Sequence, residues 1–125
     1  GTIQYMSHIQ DIGWDDWKNE GIVSGTANGQ KRMEAVKIRF TEELAQKYDI
    51  YYRVHAQNFG WMGWSKNGDP AGTEGYGYRV EAIQIKIVKK GAQAPGTTNQ
   101  SFRKKMGINS IFNACTRYRM ANVGK

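Results

Sequence analysis

The residues of this chain that could do chemistry come in pairs. Trp14-x-x-Trp17 and Trp61-x-x-Trp64, His8-x-Gln10 and His55-x-Gln57, and Arg32-x-Glu34 and Arg79-x-Glu81 each recur at a constant offset of 47 residues. An indole face can stack on the apolar face of a sugar ring, or it can fill a core that lacks Leu and Ile. Trp14 and Trp61 follow Gly13 and Gly60, which permit close packing, so they are assigned to the core; Trp17 and Trp64, nearer the next loop, are assigned to ligand contact. Imidazole and amide groups donate and accept hydrogen bonds at once, as a sugar requires. His8, His55, Gln10 and Gln57 are therefore candidate ligand contacts, together with Asp11 and Asn58 of the adjoining turn. The same His and Gln could equally form a packing pair beneath the loop, and both roles stay open.

The carboxylates read differently. Glu34 and Glu81 begin an apolar strand face, where an unpaired carboxylate would be costly. A scaffolding role follows, with each Glu accepting hydrogen bonds from loop amides or an indole N–H and with Arg32 and Arg79 alongside. A glycosidase needs two acids flanking one bond, whereas these acids belong to different copies with identical surroundings. No catalytic residue is assigned. Gly72 to Gly77 resembles a phosphate loop only in composition, since no Gly-Lys-Ser/Thr follows it. One His per copy and the single Cys115 suit neither a metal centre nor an intramolecular disulfide, and no cofactor is expected.

The elements that carry these residues are also duplicated. Tyr5 to Phe40 realigns without a gap on Tyr52 to Ile87, keeping Tyr, Gly, Trp and paired charge. Such a repeat signals a module that presents one surface more than once. Alternation from Ile3 to Ile12, and again from Tyr52, predicts a strand; a Gly-rich loop follows, then a second strand over Lys31 to Phe40 and over Tyr78 to Ile87. Glu34, Val36, Ile38 and Phe40, like Glu81, Ile83, Ile85 and Ile87, share the face expected to point into the core. The sequence predicts one all-β, pseudo-symmetric domain over 3–90, its repeats at about 3–42 and 50–90, with two-stranded units in a β-prism or trefoil-like arrangement. Three units would close such a shape. Two leave a sheet edge for the tail or a second chain to cover, so a homodimer is a candidate state.

Residues 91–100 read as a linker, and 101–125 as a basic C-terminal extension whose Phe102, Met106, Ile108, Ile111 and Phe112 fall at helix-compatible spacing around Gly107. The net charge of +7 sits mostly there: residues 1–90 hold twelve Lys and Arg against eleven acids, while 91–125 hold six and no acid. Because the repeats are near neutral, nucleic-acid binding is disfavoured, although Arg103-Lys104-Lys105 and Arg117-x-Arg119 could meet an anionic polymer. No run approaches the ~18 apolar residues of a membrane helix. No signal peptide opens the chain, and Gly1 suggests a cleavage scar.

Tyr-x-x-His-x-Gln-x-x-Gly-Trp-x-x-Trp, then Gly-x-x-x-Gly-Thr, then Arg-x-Glu-Ala-x-x-Ile resembles the clostridial hydrophobic repeat with its Gly-Trp signature. The resemblance covers about residues 3 to 90. The first copy departs from the pattern at Ile22-Val23-Ser24, where the second has Asp69-Pro70-Ala71, and at Asp11, where the second has Asn58. The resemblance implies a secreted or cell-surface protein of Firmicutes and a non-catalytic module that binds surface polysaccharide or cell-wall polymer. An adhesion or assembly module binding another surface protein is the alternative.

Overall fold

The computed structural model describes residues 1–106. Each repeat is built on one long antiparallel pair. In the first, β1 (Ile3–Ile9) pairs with β4 (Met33–Phe40), with Tyr5 opposite Ile38. In the second, β5 (Tyr48–Ala56) pairs with β9 (Val80–Lys89), with Tyr52 opposite Ile85. The other edge of β1 is taken in turn by two short strands, β2 (Gly13–Trp14) and β3 (Lys18–Asn19). β6 (Gly60–Trp61) and β7 (Ser65–Lys66) do the same for β5. Asp11 and Asn58 adopt φ of 64° and 68° in the turns before the Gly-Trp pairs. Asp and Asn tolerate that left-handed backbone better than other side chains, which accounts for both residue types at this position. The crossover between repeats is a short helix, α1 (Glu42–Lys47). The expected all-β architecture of two tandem units is what the chain forms, in two sheets.

The repeats are joined by β8 (Ala71–Glu74), which leaves the second repeat and pairs antiparallel with β4 of the first. Gly72 makes this possible. A Cβ there would lie 2.5 Å from the Glu34 carbonyl oxygen, and φ is 125°. The junction buries Val36 and Ile38 of the first repeat against Ile50, Tyr52, Val54, Met62 and Ala71 of the second. Ile50, Tyr52 and Val54 are fully buried, and burial of a side chain of this size stabilises by roughly 1.5–3 kcal/mol. The Tyr52 hydroxyl donates to the Asp69 carbonyl oxygen, and burial pushes its pKa up to about 12.

Two expectations are corrected. The apolar face of β9 is not a core face: Ile83, Ile85 and Ile87 are 42%, 51% and 54% exposed. Nothing among the described residues crosses onto β9 as β8 crosses onto β4. Secondly, the segment expected as a linker folds back onto the domain. Trp64 N–H donates to Thr97 O (2.9 Å), Gly63 N–H to Gln100 O (3.3 Å) and Gly72 N–H to Ser101 O (3.0 Å), after which β10 (Phe102–Lys104) runs parallel to β8. Unpaired backbone groups beside a core must find partners, and this segment supplies them. Gly63 admits it, since a Cβ there would lie 2.1 Å from Asn99 O. The helix-compatible positions Ile108, Ile111 and Phe112, like Gly107, Cys115, Arg117 and Arg119, lie outside the described residues.

At the far end of the second repeat, Asp49 is almost fully buried and accepts hydrogen bonds from Asn67 Nδ2 (2.9 Å) and Gly91 N–H (2.9 Å), with Lys90 Nζ at 3.0 Å. The Asn67 bond first, then the Gly91 amide and Lys90, outweigh burial and hold its carboxyl down at about 2.

Candidate functional site

The retained residues of each repeat interlock. His8 Nδ1 lies 3.1 Å from Glu34 Oε1, and His55 Nδ1 lies 3.1 Å from Glu81 Oε1. Arg32 Nε donates to Glu34 Oε2 at 2.9 Å, and an Arg79 terminal nitrogen donates to Glu81 Oε2 at 3.1 Å. The side-chain oxygens of Gln10 and Gln57 accept the backbone N–H of Arg32 and Arg79 at 3.4 and 3.5 Å. Each imidazole meets the Gly-Trp indole edge-on, with His8 to Trp14 and His55 to Trp61 both 5.3 Å between centroids. Glu34 and Glu81 thus accept from Arg and pair with His, rather than from loop amides or an indole N–H. A side chain two residues away along the same strand face is already within reach, whereas the loop backbone is not placed over it.

The first copy adds a contact that has no counterpart in the second among the described residues. His8 Nε2 is 3.2 Å from Glu74 Oε1, so both its ring nitrogens face carboxylates, and Lys104 Nζ sits 3.0 Å from the other oxygen of Glu74. Asp11 lies 3.3 Å from Lys31 Nζ at the surface; Asn58 is exposed.

All four tryptophans carry a cation over the ring: Lys37 over Trp14 (4.3 Å), Arg39 over Trp17 (3.8 Å), and Arg53 over both Trp61 (4.5 Å) and Trp64 (5.0 Å). The expected division of burial is reversed in the second repeat. Trp61 is 46% exposed and Trp64 only 6%. The cause is the returning segment, whose Gly96 packs against the Trp64 indole nitrogen. In the first repeat Trp14 and Trp17 are both half-buried, and Trp17 rests beside Gly68 of the second.

Among the described residues, two of the polar clefts hold an exposed indole or the paired Gln and Arg side chains. Around Trp61, a cleft of about 350 Å³ is lined by Arg53, Phe59, Trp61, Thr97, Asn99, Gln100 and Arg103, with the Arg103 guanidinium 4.2 Å over Phe59. Arg53, Asn99 and Gln100 were not singled out in the sequence, and Arg103 only as part of a basic run: Arg53 has Met6 as its counterpart in the first repeat, and amides in a Gly/Pro/Thr-rich stretch have no periodicity to mark them. Among the described residues the cleft is not duplicated: Arg53 and Phe59 correspond to Met6 and Ile12, and no described segment returns over Trp14. A second cleft, of about 490 Å³, lies between the repeats and brings together the equivalent residues Gln10 and Gln57, Arg32 and Arg79.

The model of the family described as Clostridial hydrophobic W, ChW, matches residues 8–42 and 55–89. The chain belongs to the ChW family. No curated protein and no solved structure matches it. ChW repeats are cell-surface-associated and are not a known enzyme family, in keeping with a non-catalytic binding module. Among the described residues, no helix is long and apolar enough to cross a membrane. Both ChW matches begin at the histidine of the His–Glu–Arg network.

Proposed function

We propose that this chain is a secreted or cell-surface module that binds surface polysaccharide without turning it over, and that the Trp61 cleft is its principal contact. The observation that carries the reading is Trp61 itself, a half-exposed indole in a concave site beside the Arg53 guanidinium and the Asn99 and Gln100 amides. An apolar ring face flanked by planar donors and acceptors suits a pyranose, which offers one apolar face and a rim of hydroxyls. The cationic residues favour an acidic sugar. Of the residues proposed from sequence, His8 and His55 orient the indoles, while Trp17 and Trp64 support the fold of the site. Gln10 and Gln57, in the cleft between repeats, offer a second contact to a long chain, which would add avidity.

The test is binding of purified bacterial cell-wall polysaccharide, followed by tryptophan fluorescence and by co-sedimentation. Trp61→Ala and Arg53→Ala should each weaken binding at least tenfold while the thermal midpoint of Trp61→Ala stays close to that of the parent. Undiminished binding by Trp61→Ala would remove the site, and failure of the parent to bind neutral or acidic wall polysaccharide would remove the reading.

A further inference from the structure

The junction between the two repeats is itself a template. β4 has a partner on each edge, β1 and β8, and with β8 in place Val36 and Ile38 are buried. β9 is the same strand one repeat later, yet among the described residues it pairs only with β5. Its Ile83 and Ile85, the counterparts of Val36 and Ile38, are about half exposed. An open edge beside an exposed isoleucine row is a surface that natural sheets cover.

The covering element is also present, unused, in the first repeat. Ser24-Gly25-Thr26 corresponds to Ala71-Gly72-Thr73. It is held in the same shape: Gly25 has φ 105° beside 125° for Gly72, and Thr26 Oγ1 donates to Lys31 O as Thr73 Oγ1 donates to Tyr78 O, at 2.9 and 3.5 Å. Their surroundings differ. A Cβ on Gly72 would strike β4, whereas a Cβ on Gly25 would meet only the Met33 methyl, at 3.4 Å. The first repeat thus keeps a backbone shaped to lie against a strand that the described residues do not supply. An apolar groove of about 310 Å³ is lined by Tyr5, Ser24, Val36 and Ile38 of the first repeat and by Ile83 and Ile85 of the second.

We propose that β9 accepts the Ser24-Gly25-Thr26 segment of a second copy of this chain, in the register by which β4 accepts Ala71-Gly72-Thr73. Val36 faces Ala71 in the template, so Ile83 of one copy faces Ser24 of the next. The contact is heterologous. Two copies close a ring if each fills the other, and otherwise the chain of copies grows head to tail. One feature limits its strength: Glu74, which reaches His8 across the internal junction, corresponds to Ala27, so the second junction lacks that ion pair. This proposal stands independently of polysaccharide binding.

The test uses the whole chain and needs no ligand. Sedimentation velocity over a hundredfold range of concentration should show mass rising above that of the monomer. Ile85→Lys, at a half-exposed position, should abolish the rise without altering near-ultraviolet circular dichroism. Ala27→Glu, which returns a carboxylate to the reach of His55, should tighten association about fivefold. Mixing two single-cysteine chains in a Cys115→Ser background, one with Ser24→Cys and one with Ile83→Cys, should give an oxidised heterodimer, whereas neither should couple efficiently to itself. A monomer at every concentration in both the parent and Ala27→Glu would overturn the proposal. So would self-coupling of Ile83→Cys, which would place two β9 strands edge to edge.

Discussion

The two ChW repeats share one local structure and live in different surroundings. Tyr5 and Tyr52 each donate to a loop carbonyl, His8 and His55 each meet a glutamate at 3.1 Å, and both long strand pairs shift register at the histidine. Yet Val36 and Ile38 are sealed while Ile83 and Ile85 are wet. Conversely, Ser7, Asp15 and Ser24 form a hydrogen-bonded polar cluster, with Ser24 Oγ donating to Asp15 at 2.8 Å, where the second repeat has the apolar Val54, Met62 and Ala71. What is conserved between copies is thus the conformation of the unit. What differs is which neighbour it has, and with it whether polar or apolar side chains fill these three positions.

The largest way to break this comparison is at the paired glycines. Gly72→Ala places a methyl carbon against the Glu34 carbonyl in addition to straining a positive φ, so it should cost about 3 kcal/mol or more and loosen the junction. Gly25→Ala strains φ alone and should cost about 1–2 kcal/mol. Urea denaturation of both variants, at concentrations where the chain is monomeric, reads the difference. Equal costs would mean that the β4–β8 contact contributes little. Next comes a pair with identical chemistry: Ile38→Ala should cost about 2–5 kcal/mol, as a buried isoleucine does, and Ile85→Ala within about 0.5 kcal/mol of nothing. A large effect at Ile85 in the monomer would show that β9 is covered within a single chain.

These differences mark where sequence stops being informative. The repeat, its strands and the family were legible because alternation, Gly-Trp spacing and an ungapped offset are local features. The burial of β4 but not β9 was not legible, since both read Glu-Ala-Val/Ile-x-Ile and only a long-range partner distinguishes them. The return of residues 97–104 was hidden for another reason. Its contacts with Gly63, Trp64 and Gly72 are made by backbone groups, which any residue type can supply, so a Gly/Pro/Thr/Asn stretch resembles a linker until the edge it pairs with is known. That segment decides the site: it buries Trp64, leaves Trp61 beside Asn99 and Gln100, and so moves the candidate contact from one indole of the pair to the other.

An acid titration sharpens the comparison further. Asp49, in the second repeat, has Thr2 as its counterpart in the first, so the first repeat has no carboxylate at this position. Its pKa is depressed from 3.8 to about 2, so its contribution is fully present above about pH 4 and is lost as pH falls through about 2. Asp49→Asn should therefore flatten the acid limb of stability between those values. An unchanged limb would mean that Asp49 is no better solvated by Asn67 and Gly91 than by water.

The finest distinction is between the two tyrosine hydroxyls, which make the same bond in unequal burial. Tyr5→Phe and Tyr52→Phe each remove a donor to a loop carbonyl, that of Ile22 or of Asp69, at about 1 kcal/mol apiece. Only Tyr52 is fully buried, and its pKa is raised from 10 to about 12 by desolvation. The folded state thus holds the phenolic proton more tightly than the unfolded chain does. Its stabilisation is complete below pH 10 and declines as pH rises through 12. Tyr52→Phe should abolish that alkaline decline, and Tyr5→Phe should leave it in place because the Tyr52 phenol is still present. Thermal midpoints measured at intervals between pH 9 and pH 12 separate the two. Parallel curves for both variants would place the Tyr52 ring in contact with solvent and remove it from the core that joins the repeats.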